Sequence, residues 1–307
     1  MISEWRGRWG RLKLRAAAAV VRDYSAISRR WRRRRERIEA FVPFGSPDGV
    51  GILQNAALNA LTLSICESLD AAALKEFALR AADVSVPLLK LEAMPGRGVL
   101  ISVPHYGPFT LCALAFAMRF EDRPVVYLFQ HPDANPDNAR SDAILRKVCS
   151  DDQVAFDDRR GVIRAISALR RGGVCVLMPD ITRSTENAFF VPFLGGAFQV
   201  QPGVATLARM ANATVLPCYP RWTRNGSAAV ECGRPILSNP ELDPGQADFM
   251  CMVELFADFE RYLRKRPIGW FYWPSAASRI MPWSRSGEDD AIEECLDNVQ
   301  RLAAPML

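Results

Sequence analysis

Short apolar runs alternate with helix-period segments through most of this chain. The run at 99–103 leads through a proline and a polar turn into 111–118, which reads as a buried helix. The run at 125–129 precedes a polar turn and a helix near 139–148. A helix over 161–171 stops at Gly172-Gly173, a terminating signal, and the strand 174–178 follows, ending in Pro179 and Asp180. Next comes a loop in which Gly195-Gly196 marks a turn, then a helix over 202–210 with proline in its first turn. Strands at 215–219 and 228–232 and a helix over about 247–264 complete the alternation. Upstream, Ile52, Ala56, Leu58, Leu61, Leu63 and Ile65, then Leu74, Phe77, Leu79, Leu88 and Leu89, predict two helices within 50–92. The pattern is that of an α/β protein with a mixed central sheet covered by helices.

A chain of 307 residues, 49% hydrophobic, suits one large core with an extension. The eight cysteines (Cys66, Cys112, Cys149, Cys175, Cys218, Cys232, Cys251 and Cys295) form no C-x-x-C pair and no cluster with histidine at metal-ligand spacing. Free buried thiols in a reducing compartment are expected, with no metal. No Gly-rich phosphate loop is present, and no cofactor is expected.

Charge divides the chain unevenly. Residues 1–37 carry thirteen Lys and Arg against three acids, a net +10, so the rest of this +5 protein sums to −5. Trp5, Trp9, Tyr24 and Trp31 are interleaved with these cations. The segment reads as a basic helical extension over 1–45, ahead of an α/β domain over 46–307. Three uses compete for it: an anionic membrane surface, non-specific nucleic acid, or a solvated helix face with no partner. No zinc spacing, aromatic RNA-binding signature or helix-turn-helix accompanies the arginines, so no specific nucleic-acid partner is expected. No apolar stretch is long enough to span a bilayer, and 16–21 is too short for a secretory signal core. The expected location is the cytoplasm, with 1–37 a candidate for peripheral contact at the inner face of the membrane.

Polar groups follow four of the apolar runs: His105-Tyr106-Gly107, His131-Pro132-Asp133-Ala134-Asn135-Pro136, Pro179-Asp180 and Pro220-Arg221-Trp222. If these strands are neighbours, their ends converge on one crevice. His105 is one of only two histidines. A histidine base with carboxylates and an arginine suits the deprotonation of a nucleophile while negative charge builds on a carbonyl oxygen, as in acyl transfer. The plainer alternatives are a loop histidine satisfying a carbonyl, an aspartate capping a helix, and a surface arginine.

These residues resemble those of the lipid A biosynthesis (lauroyl/myristoyl) acyltransferases. That family has a His-x-Gly-x-x-Glu motif after an apolar strand, and residues 105–110 read His-Tyr-Gly-Pro-Phe-Thr. The stretch 164–180, with its glycines and terminal Pro179-Asp180, is similar to the family's helix-glycine-strand-Asp segment. Phe189-Phe-Val-Pro-Phe-Leu-Gly195 resembles its FVPFFG loop, and 207–217 its LAR-x-x-x-A-x-x-x-P stretch. The likeness covers about 98–236 and extends weakly to Trp273. It implies a glycerolipid-acyltransferase-like fold and transfer of an acyl group from an acyl carrier protein or acyl-CoA thioester to a hydroxyl or amine. His105 matches the family's catalytic histidine and Asp180 one of its aspartates, so both are read as catalytic, and Gly107, Thr110, His131, Asp133, Asn135 and Arg221 are expected to bind substrate. Asp180, Asp133 or Thr110 would position His105, amides near Gly107 at the start of the following helix would hold the oxyanion, and apolar side chains of the helix 111–118 would either line an acyl groove or, as the plainer use, pack the core.

The departures share a direction. Thr110 stands where the family has an acid, His131 where it has arginine, Thr182 for a second acid, and Pro274-Ser275-Ala276-Ala277 for a basic cluster. Fewer cations disfavour a bis-phosphorylated acceptor, so a different lipid or small-molecule acceptor is expected. Loss of the acid leaves open a protein that binds an acyl chain or carrier without catalysis. A nucleic-acid function centred on the arginines is the third reading.

Overall fold

A computed structural model describes residues 49–282, apart from 95, 121–122, 134, 137, 182–187, 225 and 274–278. The basic extension, the expected boundary near 45, Thr182 and 274–277 lie outside the described residues. Helices α1 (Gly49–Ser68) and α2 (Ala71–Ala81) lead to strand β1 (Ala82–Asp83) and helix α3 (Ser85–Glu92). The pattern over 50–92 predicts two helices, and the structure has three. Asp70 caps α2 by accepting from the Ala73 N–H at 2.8 Å, and Asp83 accepts from the Ser85 N–H at 2.9 Å to restart the helix after a two-residue strand.

The alternation then runs β2 (Val99–Ser102), α4 (Phe109–Arg119), β3 (Val125–Phe129), α5 (Asn138–Leu145), β4 (Val154–Phe156), α6 (Arg159–Arg170) and β5 (Val174–Leu177). After these come β6 (Phe189–Phe193), β7 (Gly196–Val200), α7 (Gly203–Ala211), β8 (Thr214–Trp222), β9 (Ala228–Cys232), β10 (Ile236–Leu237), α8 (Pro244–Lys265), a 3-10 turn (Pro267–Gly269) and β11 (Ile280–Pro282). Strands β1, β4, β6, β7, β10 and β11 add to those the pattern predicts.

The main sheet has the order β1-β9-β8-β2-β5-β3-β4, with β10 also on β8. Strands β8, β2, β5, β3 and β4 are mutually parallel, whereas β9 and β10 run antiparallel to β8. The expected mixed sheet is therefore present. Alternate residues feed two cores: Leu100, Cys175 and Val215 pack with α6, α7 and α8, and Val99, Ile101, Val174 and Leu216 pack with α2 and α4. Burial on both faces explains why these strands are continuous apolar runs. None of the described helices is long and apolar enough to cross a membrane.

A second, three-stranded sheet, β11-β7-β6, was not expected. Its hairpin turns at Leu194 and Gly195, both at positive φ, and Phe193 pairs with Gly196 across it. Pro192 inside an aromatic run obscures this strand in the sequence.

Candidate active site

Strands β2 and β5 are adjacent and parallel, with Val99 opposite Val174 and Ser102 opposite Leu177. Each leaves the sheet through a residue followed by proline, Val103-Pro104 and Met178-Pro179. A residue before proline is held extended, and the ladder continues one step further with Val103 N–H donating to Leu177 O at 3.0 Å. His105 and Asp180 each lie three residues beyond their strand, so the register carries them upward side by side.

The His105 Nδ1 lies 2.8 Å from Asp180 Oδ1. Asp180 is fully buried, and the His105 side chain is 14% exposed. The His105 backbone N–H lies 3.0 Å from Oδ2 and 3.2 Å from Oδ1, and Trp270 Nε1 donates to Oδ2 at 3.0 Å. Burial alone would raise the Asp180 carboxyl. The facing His105 charge and the hydrogen bonds from its ring, the Trp270 indole and the His105 amide outweigh that and hold it below the ordinary carboxylate range. An ionised carboxylate only accepts, so the neutral imidazole carries its proton on Nδ1 and keeps a lone pair on Nε2. A base oriented by a buried acid can take a proton from an approaching nucleophile.

Aromatic rings enclose the imidazole. Phe109 and Tyr272 meet it edge-on with centroids at 5.1 Å each, and Phe271, 45% exposed, lies at 6.5 Å. Arg279 stacks over Tyr272 at 4.1 Å and donates to the Asp180 backbone O at 3.2 Å. Sequence reasoning missed Trp270, Phe271, Tyr272 and Arg279. Their one visible signal was the aromatic cluster Trp270-Phe-Tyr-Trp273 after the last long helix.

Gly107 has φ +54°, and a Cβ there would lie 2.2 Å from the Pro220 backbone O and 3.3 Å from the Arg221 Cα. Only glycine lets the His105 loop turn against β8. The Gly107 N–H itself donates to Gly269 O at 2.8 Å, which leaves the amides at the start of the following helix for an oxyanion. The first bond into α4 runs from Cys112 N–H to Pro108 O at 3.1 Å. The amides of Phe109, Thr110 and Leu111 are therefore the ones facing out of the helix N-terminus.

Thr110, in the first turn of α4, makes no hydrogen bond with the His105 ring, whose Nδ1 is engaged by Asp180. Of the two uses open to the apolar side chains of this helix, a groove lining or core packing, the described residues show core packing. Leu111, Cys112, Leu114, Ala115, Phe116 and Met118 are all buried in the core.

His131, Asp133 and Asn135 follow β3, one strand beyond β5 from His105. They are organised around one another. His131 Nδ1 accepts from the Asp133 N–H at 3.2 Å and lies 3.3 Å from Asp133 Oδ2, the Asn135 N–H donates to His131 O at 3.0 Å, and the His131 ring rests on Phe156 at 4.4 Å. The geometry brings His105 and Asp180 together and leaves this loop at the neighbouring strand end. Arg221 reaches Glu231 Oε1 at 2.6 Å, and Arg266 reaches the same oxygen at 3.0 Å. Two guanidiniums on one carboxylate leave one net positive charge near the His105 loop. Among the described residues, no cluster of three or more His, Cys, Asp or Glu is placed to hold a metal ion.

A sequence model of the bacterial lipid A biosynthesis acyltransferases matches residues 88–273, more than half the chain and all the elements that build this site up to Trp273. The chain is also similar to a lipid A biosynthesis acyltransferase of Haemophilus influenzae, with 24% identity over 127 residues. That match covers 41% of this chain and 38% of the relative, so the chain aligns with well under half of the relative's length.

Proposed function

The chain belongs to the bacterial lipid A biosynthesis acyltransferase family, and on that premise we propose that it transfers an acyl group from a thioester to a hydroxyl or amine acceptor. The contact between His105 Nδ1 and Asp180 Oδ1, at 2.8 Å, carries this reading. His105 Nε2 takes the proton from the acceptor nucleophile as it attacks the thioester carbonyl. The buried Asp180 carboxylate stabilises the resulting imidazolium, and the amides at the start of α4 face the developing oxyanion. Collapse of the tetrahedral adduct breaks the carbon–sulfur bond, and the imidazolium returns its proton to the departing thiolate.

The donor in this proposal is an acyl carrier protein or acyl-CoA thioester. The acceptor is a lipid or small molecule other than lipid A, because His131 replaces an arginine and 274–277 lack the family's cations. Gly107 shapes the turn, Thr110 lies at the oxyanion end of α4, and Arg221 supplies positive charge for an anionic part of either substrate. His131, Asp133 and Asn135 are assigned to the far side of the substrate path. The setting is cytoplasmic, with residues 1–37 meeting the inner face of the membrane. Asp180 supplies the negative charge that Thr110 lacks, which favours an enzyme over an inactive acyl-binding protein.

The test is incubation of the full chain with an acylated carrier protein and a lipid extract, with mass spectrometry of the products. Mass spectrometry of molecules that co-purify with the protein identifies the acceptor class. Transfer that persists undiminished in His105→Ala would remove this mechanism.

A further inference from the structure

Something must fix the plane of the Asp180 carboxylate so that an oxygen stays in line with the imidazole. The terminal torsion of a carboxylate is broad and roughly two-fold. The His105 backbone N–H does not fix it alone, since it lies nearly midway between the oxygens, 3.0 Å from Oδ2 and 3.2 Å from Oδ1. The Trp270 indole completes the constraint. Its Nε1 donates to Oδ2 at 3.0 Å, leaving Oδ1 to His105 Nδ1 at 2.8 Å. An indole N–H is a donor only, with no second tautomer to offer.

Trp270 is itself tightly held. It is 0% exposed and packed by Trp273, Phe193 and Phe259, with ring centroids at 5.0, 5.5 and 5.9 Å. Its backbone is sewn to the histidine loop. Gly107 N–H donates to Gly269 O at 2.8 Å, Phe271 N–H donates to His105 O at 2.8 Å, and Tyr106 and Trp270 form an antiparallel bridge between them. Asn55 of α1 also donates to Gly269 O, at 3.0 Å. The group that orients the acid is thus tied to the loop that carries the base.

We propose that Trp270 is a positioning residue: its indole N–H holds one oxygen of the Asp180 carboxylate and so fixes the plane of the group with the other oxygen in line with His105 Nδ1, keeping the imidazole in its Nδ1-protonated form with Nε2 free to accept. This rests on the acyl-transfer reading above. The same hydrogen bond helps hold Asp180 ionised despite its burial.

The chain has two histidines, so 15N-histidine labelling of the full-length protein gives two imidazoles, and His131→Gln assigns them. Above the imidazole titration the unsubstituted protein should show His105 protonated at Nδ1 only. Replacing Trp270 with β-(3-benzothienyl)alanine keeps the bicyclic shape and removes only the N–H. It should give a mixture of the two neutral imidazole forms and lower acyl-transfer turnover about tenfold at unchanged KM. Trp270→Phe is a second variant of the same donor and should move the proton in the same way. Loss of packing alone would lower the melting temperature without moving the proton. If Asp180→Asn shifts the His105 proton while both Trp270 replacements leave it in place, the role of Trp270 is overturned and the pair stands. If the unsubstituted protein shows no Nδ1-protonated His105, the pairing itself fails and the proposal falls with it.

Discussion

His105 and Asp180 stand 75 residues apart, the same separation as every paired position of β2 and β5, from Val99 with Val174 to Ser102 with Leu177. The His105–Asp180 contact extends the strand register past the end of the sheet. A parallel ladder places residues of equal offset side by side, and proline before each residue keeps the two exits similar. The preorganisation of this site therefore derives from the sheet itself.

His105→Ala should reduce acyl transfer by about 10²–10⁴, the usual contribution of a positioned general base. The fully buried Asp180 carboxylate loses its partner, so the melting temperature should fall as well, without loss of the folded state. Direct transfer assays with the acylated carrier, beside a melting curve, check both halves. An unchanged melting temperature would mean that the buried carboxylate does not depend on the ring.

Asp180→Asn should lower transfer to a similar degree by releasing the imidazole from its Nδ1-protonated form. Its effect on stability should depend on pH. The folded carboxyl is held below its ordinary value, so its contribution is present above the unfolded value of about 3.9 and is lost as pH falls through the lower folded value. Urea unfolding of both proteins between neutral pH and pH 3 should show the stability gap closing in acid. A gap that widens in acid would contradict the depressed carboxyl.

Gly107→Ala places a methyl 2.2 Å from the Pro220 carbonyl oxygen at a φ of +54°. The expected cost is more than about 1–3 kcal/mol, the range for a non-glycine residue in a sparsely populated conformation, with the clash added. Transfer should fall even where the protein still folds, because the same turn carries His105. Unchanged denaturation and turnover would show that the loop can move away from β8.

Thr110→Glu restores an acid at the family's position, but Asp180 already occupies Nδ1. A carboxylate in the first turn of α4 should raise stability by about 0.3–1 kcal/mol through the helix dipole. Turnover should not rise, since a charge there opposes the developing oxyanion. A clear gain in turnover in a steady-state assay would mean that Asp180 is not the working partner.

Much of the fold could be read from periodicity. The runs at 99–103, 125–129 and 174–178 are strands because β-branched and leucine side chains there are buried from both sides, and that double burial writes itself as unbroken apolar sequence. His105 and Asp180 were visible for the same reason, each being the first charged or titratable group after a strand and a proline. The short strands were harder. Ala82–Asp83 and Ile236–Leu237 are two residues long and depend on a neighbour that the sequence brings close only after folding. The helix behind His105 left two uses open, since an apolar helix beside a crevice can line a groove or fill the core, and Leu114 and Phe116 fill the core.

The sequence by itself determined the family, the alternation of strands and helices, and the base and acid at two strand ends, because burial and backbone chemistry are written locally. Only tertiary structure decided that the group bonded to the His105 ring is Asp180 rather than Thr110 or Asp133, that Arg221 shares Glu231 with Arg266, and that Trp270, ninety residues beyond Asp180, donates to that carboxylate. Those outcomes depend on which strands lie side by side and on hydrogen bonds between distant segments, and no spacing along the chain encodes either.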